Sequence, residues 1–234
     1  MHGMITNDQY RYLRNNPIFQ HFPVEHFDQI AKEIRFRKIP KGQIFFFGGD
    51  RRDYLFVLFQ GYARIEQYDQ TGTYTYLDYI RQGEAFPFGD MFNDGLYHYT
   101  AVAETDLEYF MIPMDDYEEF SKINPRQMLF IAKKLSKILR FEELRLRNAM
   151  ISRASDRVEQ VLALMYWDIC LPAQLDTLPF TIHIQEISRL SATTRETVSQ
   201  VMKRLKQENR ISYSHKQLTF LDKDYFLEHL TETR

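Results

Sequence analysis

Gln185-Glu-Ile-Ser-Arg-Leu-Ser-Ala-Thr-Thr-Arg-Glu-Thr-Val-Ser-Gln-Val-Met-Lys-Arg-Leu-Lys206 reads as two short helices with a turn between them. Ile187 and Leu190 mark the apolar side of the first, and Val198, Val201, Met202 and Leu205 that of the second. Ser191-Ala-Thr193 separates them, and Thr194 is placed to cap the second helix. This is helix-turn-helix spacing, in which the first helix braces and the second enters the major groove of DNA. Arg195, Glu196, Ser199 and Gln200 share one arc of the second helix, away from its apolar side. Such side chains read base edges: Arg pairs bidentately with guanine, Glu accepts from cytosine, and Ser or Gln reach several edges. Thr193, Thr194 and Lys203 are placed for phosphates. A plain helical hairpin with a solvated charged face has the same periodicity, so spacing alone leaves both readings open.

The net charge of −2 does not advertise a nucleic-acid partner, but its distribution does. Residues 187–216 carry Arg189, Arg195, Lys203, Arg204, Lys206, Arg210 and Lys216 against only Glu196 and Glu208, leaving the rest of the chain acidic. A compact basic patch on an acidic protein suits local contact with phosphate. Strand-like Ile211–Tyr213 and Leu218–Leu221 follow as a wing.

Toward the N-terminus, Val158–Ile169 is an amphipathic helix after a polar break at Ser152–Asp156. Asn124-Pro125 opens a long segment without Gly or Pro until Pro172. Met128, Ile131, Leu135 and Ile138 form a coiled-coil-like seam there, expected to be a dimer interface rather than packing on the chain's own β domain. Before Pro113 the texture is different. Ile44–Phe47, Tyr54–Phe59, Ala63–Tyr68, Tyr74–Ile80, Tyr99–Ala103 and Leu107–Ile112 are β-branched and aromatic runs separated by Gly, Asn and Asp turns. That predicts an antiparallel sandwich or jelly roll. Residues 7–37 read as short helices broken at Pro17 and Pro23.

The expected fold is therefore α+β, with three parts. Residues 1–124 form an N-terminal antiparallel β-roll with leading helices. Residues 125–151 form a dimerisation helix, and 152–234 a winged helix-turn-helix.

The composition, 44% hydrophobic and 26% charged, is that of a folding chain. The 19 Phe and 15 Tyr suggest a β-rich core. No run approaches the ~18 apolar residues of a membrane span, so no membrane partner is expected. Cys170, the single cysteine, excludes an intrachain disulfide and Cys-rich metal or iron–sulfur sites and suits the reducing cytoplasm. Its expected role is a core thiol, with a Cys170–Cys170 link between subunits as the alternative. His98 stands alone in the β domain, with His21 and His26 in the leading helices, so the His-x-His and Glu set of a cupin metal site is missing. No catalytic residue, metal or cofactor is expected.

The order of β-roll, long helix and winged helix-turn-helix resembles the Crp/Fnr transcription regulators over nearly the whole chain. Three motifs carry the resemblance. One is Pro40-Lys-Gly-Gln, Gly48, Tyr54-Leu-Phe-Val-Leu-Phe-Gln-Gly-Tyr-Ala-Arg64, Gly72, Gly83-Glu and Phe88-Gly-Asp-Met-Phe92, similar to the cyclic-nucleotide-binding β-roll. Another is Asn124-Pro125, opening the dimer helix. The most specific is Arg195-Glu-Thr-Val-Ser-Gln200, close to the family's R-E-x-x-[GS]-R. The resemblance implies a homodimer on a palindromic double-stranded operator with TGTGA-like half-sites. It also implies an RNA polymerase contact, with the loop Leu171–Pro179 as candidate activating surface. Overall texture is similar to the Fnr-like and arginine-catabolism regulators of low-GC Gram-positive bacteria. That implies an activator of catabolic or anaerobic genes such as those of the arginine deiminase pathway.

Departures from the family pattern narrow the reading. Tyr97-His98 stands at the Arg-Ser position of a cyclic-AMP pocket, Asp90 follows Gly89, and no Arg lies between Arg81 and Arg126. A cyclic phosphate would lose its bidentate cation. Glu142-Glu143 replaces the Thr-Ser contact to the nucleobase. The chain is therefore not expected to be a cyclic-AMP receptor and, lacking an N-terminal Cys cluster, not an iron–sulfur oxygen sensor. Ala192 stands where the turn usually has Gly, and Gln200 where the family has its second Arg. The alternatives are a β-roll regulatory or cupin-like metal-dependent protein with an incidental helical tail, and a regulatory subunit whose helical domain binds protein.

Overall fold

The computed structural model describes residues 5–68, 74–89, 91–93 and 95–231, with 74–76 and 231 described by backbone alone. Asp90 and Gly72, quoted above, lie outside the described residues. The chain divides into two compact units, Met1–Leu139 and Arg140–Arg234.

In the first unit, α1 (Asn7–Arg14), a 3-10 turn (Pro17–Phe19) and α2 (Val24–Ala31) precede eight strands among the described residues. These are β1 (Arg35–Ile39), β2 (Ile44–Phe46), β3 (Tyr54–Gln60), β4 (Ala63–Tyr68), β5 (Tyr74–Ile80), β6 (Ala85–Phe86), β7 (Thr100–Ala103) and β8 (Leu107–Pro113). They pair antiparallel in two four-stranded sheets, ordered β1-β8-β3-β6 and β2-β7-β4-β5. The helices α3 (Met114–Lys122) and α4 (Pro125–Ala149) follow.

Strand β3 shows why the sequence reads as it does. Leu55 and Val57 face a core shared with the helices, with Leu13, Phe19, Phe27, Phe110 and Tyr117. Phe56 and Leu58 face the other way, into a second core with Phe46, Ile65, Phe86 and Tyr97. A strand buried on both faces is apolar at every position instead of alternating.

Helix was expected as far as residue 37, but α2 ends at Ala31 and Arg35–Ile39 is a strand. Among the described residues β1 lies at a sheet edge, paired through β8, with Phe36 opposite Phe110. Arg35, Arg37 and Lys38 leave it little apolar signal; charged side chains are the usual protection of an edge.

Asn124 opens α4 by accepting from the Arg126 and Gln127 amides at 3.1 and 3.2 Å. Its own amide donates to the His21 carbonyl at 2.7 Å, which ties the leading helices to α4. Met128 and Ile131 then pack into the core of this unit, Ile131 being only 1% exposed. Leu135 and Ile138 are 37% and 38% exposed. The predicted seam thus divides, its first half filling the chain's own core and its second half facing outward.

The second unit holds the end of α4, α5 (Ala154–Met165) with a π-helical turn (Tyr166–Cys170), α6 (Ile184–Leu190), α7 (Arg195–Gln207), the hairpin β9 (Ile211–Ser214) and β10 (Gln217–Phe220), and α8 (Lys223–Thr231). Val158, Leu162, Val198, Leu205, Leu218, Phe220 and Phe226 form its core. Cys170 is buried there; burial, with the Asp176 charge adding, pushes its thiol up to about 12. This is an inert core thiol. Among the described residues no helix is long and apolar enough to cross a membrane.

Candidate nucleic-acid interface

Helix α7 begins where the sequence places it. The Thr194 hydroxyl accepts from the Thr197 amide at 3.2 Å. Val198, Val201, Met202 and Leu205 are buried, which turns Arg195, Glu196, Ser199, Gln200 and Lys203 outward, all exposed. Thr194 is exposed and Thr193 half-buried at the start of the same helix. All seven residues singled out for DNA therefore lie on one face or just before it.

The first turn of α7 is electrostatically arranged. The Glu196 backbone amide and the Thr194 hydroxyl hold the Glu196 carboxyl below its usual range, as the helix dipole also favours. It remains ionised, and so acceptor-only, at neutral pH. With its amide oriented to satisfy both ends, Gln185 Oε1 accepts from Arg189 Nη2 at 2.9 Å and Arg195 Nη2 at 3.2 Å. Gln185 thus joins α6 to the start of α7. Sequence reasoning did not single it out; its only signal was lying four residues before Arg189.

The turn itself is strained. Ala192 has φ of 46°, in the left-handed region. A residue with a Cβ costs on the order of 1 kcal/mol there relative to Gly. At the wing tip His215 and Lys216 have φ of 51° and 65°, both positive as a two-residue hairpin turn requires.

The basic patch is smaller than its composition. Arg204 pairs with Glu159, which also accepts from the Tyr225 hydroxyl and lies 3.4 Å from His229 Nε2. Burial alone would raise the Glu159 carboxyl, but hydrogen bonds from His229, Tyr225 and Arg204 outweigh it and bring it down to about 2. Arg210 pairs with Asp222 and lies 4.6 Å over the Tyr225 ring. Arg189, Arg195, Lys203, Lys206 and Lys216 are exposed, and so is Arg204, whose charge Glu159 offsets. Neither pairing is legible in the sequence: Glu159 lies 45 residues from Arg204, and Asp222 stands just before α8, a helix the sequence reading does not single out.

The comparisons with known proteins follow the same division. Residues 36–124 match the cyclic nucleotide-binding domain family and residues 156–228 the Crp-like helix-turn-helix domain family. The Cyclic AMP receptor protein of Thermus thermophilus is 27% identical over 84% of this chain and 88% of its own. The HTH-type transcriptional regulator ArcR of Staphylococcus epidermidis is 26% identical, over 80% of this chain and 82% of its own. The solved structure of FixK2 from Bradyrhizobium japonicum shares the fold, with a TM-score of 0.71 at 14% identity, covering 83% of this chain and 96% of that one. A β-roll of the cyclic-nucleotide-binding type followed by a Crp-like helix-turn-helix makes this chain a member of the Crp/Fnr family, a DNA-binding transcriptional regulator and not an enzyme.

Proposed function

We propose that this regulator acts in the cytoplasm as a homodimer on an inverted repeat. Arg195, Glu196, Ser199 and Gln200 read each half-site, while Thr193, Thr194 and Lys203 hold phosphates. The observation that carries this is α7 itself, its apolar side buried and its polar arc wholly exposed. Leu135 and Ile138, with the exposed Leu139, offer the dimer face; Met128 and Ile131 buttress α4 from within. Two-fold symmetry then sets half-sites about one helical turn, ~34 Å, apart. By family likeness the half-site is close to TGTGA, with weaker discrimination where Gln200 replaces the second Arg. The sequence's resemblance to arginine-catabolism regulators extends the proposal to activation of catabolic or anaerobic genes such as those of arginine deiminase, through a polymerase contact on the largely exposed loop Leu171–Pro179.

Arg195→Ala is expected to lose about 1–3 kcal/mol on the operator and to flatten preference at one base pair. Lys203→Ala should weaken all sequences alike and reduce the salt slope by about one. Fluorescence anisotropy on substituted duplexes over a salt series measures both. A change only in salt slope for Arg195→Ala would make α7 a phosphate clamp. Binding without salt dependence would favour a protein partner.

The β-roll interior supports indifference to cyclic AMP. Tyr97 is 5% exposed and stacks on Phe46 with ring centroids 3.7 Å apart. Its hydroxyl donates to the Tyr54 carbonyl at 3.0 Å and accepts from the Tyr54 amide at 3.2 Å. The position where the family places a phosphate-binding Arg thus holds a ring already packed and bonded. Calorimetry at millimolar nucleotide should give no saturable heat; a micromolar Kd would overturn this.

A further inference from the structure

We propose that Arg157 is a positioning residue for DNA recognition, tying the segment that follows α4 to the turn that presents α7. The proposal rests on the reading of α7 as the recognition helix. Arg157 lies in the first turn of α5, where a helix dipole disfavours a cation. Its guanidinium compensates by gathering four carbonyls. Nε donates to Ser191 O at 3.0 Å and Nη2 to Ala192 O at 3.1 Å. Nη1 donates to Ile151 O at 2.7 Å and to Ser152 O at 3.3 Å.

The two pairs of acceptors come from different places. Ser191 and Ala192 are the end of α6 and the left-handed turn residue. Helix C-terminal carbonyls are unpaired within the helix and carry partial negative charge, so a cation fits them. Ile151 and Ser152 lie just beyond the end of α4 at Ala149. One rigid, planar group therefore spans the exit of the dimer helix and the turn immediately before Thr193, Thr194 and Arg195. The turn adopts a conformation suited to Gly without having one, and Arg157 holds it closed from the carbonyl side. With these hydrogen bonds directed inward, Arg157 acts through the turn and not on phosphate. A Lys at this position keeps the charge but lacks the fork that reaches both pairs at once.

The test uses the full chain with Arg157→Lys and Arg157→Ala, on operator and scrambled duplexes over a salt series, with amide hydrogen exchange. Arg157→Lys should weaken operator binding about tenfold or more, the scale of losing one to two charge-assisted hydrogen bonds. Scrambled DNA should be bound within about twofold of the parent, at unchanged salt slope. Exchange at residues 191–193 should quicken while residues 198–205 keep their protection. Parallel weakening on both duplexes with a slope smaller by about one would make Arg157 a phosphate contact and overturn the proposal. Unchanged operator affinity, or protection lost across the whole domain, would overturn it too. If Arg157→Ala fails to fold, Arg157→Lys alone decides. Arg195→Ala on the same duplexes separates the two readings. Base preference insensitive to Arg195→Ala removes the α7 assignment, whereas preference lost there but kept with Arg157→Lys removes only the role of Arg157.

Discussion

Replacing both Leu135 and Ile138 by Asp should give a folded monomer whose operator affinity is lower by about a hundredfold or more, the avidity lost when two half-sites are no longer held together. Both are 37–38% exposed in the single chain, against 1% for Ile131, so the fold depends on them far less than on Ile131. They are three residues apart and share a face of α4. Opposed across a two-fold axis, carboxylates there would be desolvated without partners. Ile131 gives the internal contrast. It lies in the core of its own unit, so Ile131→Ala should cost about 2–4 kcal/mol of stability and leave association intact. Sedimentation velocity reads the first effect and thermal unfolding the second. A dimer that persists in the double variant would move the interface elsewhere on the molecule.

Glu159→Ala should destabilise the second unit by on the order of 3 kcal/mol, because it orphans groups placed around a buried carboxylate. Arg204 from α7 and Tyr225 and His229 from α8 all converge on Glu159 from α5. The same network makes stability pH-dependent in a defined direction. The Glu159 carboxyl is held near 2 in the folded state against an ordinary 4.5. A depressed carboxylate contributes its stabilisation fully above the unfolded value. That contribution is lost as pH falls through 4.5 toward the folded value of about 2. The melting temperature of the wild type should therefore fall faster below about pH 5 than that of Glu159→Gln, the gap between them narrowing with acid. Parallel profiles would locate the acid sensitivity elsewhere.

What could be read from the chain follows from how local each signal is. The aromatic runs from Ile44 to Ile112 reported their strands because both faces of the central ones are buried, and the turns between them carry Gly, Asn and Asp. Thr194 and the apolar spacing of Val198, Val201, Met202 and Leu205 reported α7 because capping and periodicity act within a few residues. β1 escaped because an edge strand of Arg and Lys has almost no apolar pattern. β6, two residues long, has no pattern at all. The split of the α4 seam depends on which neighbour covers Ile131, and the convergence on Glu159 and the reach of Arg157 are long-range facts. No spacing rule connects residue 159 to residues 204, 225 and 229, or residue 157 to residue 191.

The charges of Arg204 and Arg210 are offset by Glu159 and Asp222 of the same domain, and this bears on how the protein finds its targets. Random duplex is held almost wholly by phosphate contacts, and the acidic remainder of this chain repels it. Fewer uncompensated cations would mean shorter stays on irrelevant sequence, less sliding and more excursions through solution between trials. Against a genome of about a million or more competing sites, copies are not titrated away by bulk DNA. If the exposed arc of α7 reads bases as proposed, occupancy of an operator then rests on the fit of a few side chains, and promoters would be ranked by small differences in sequence.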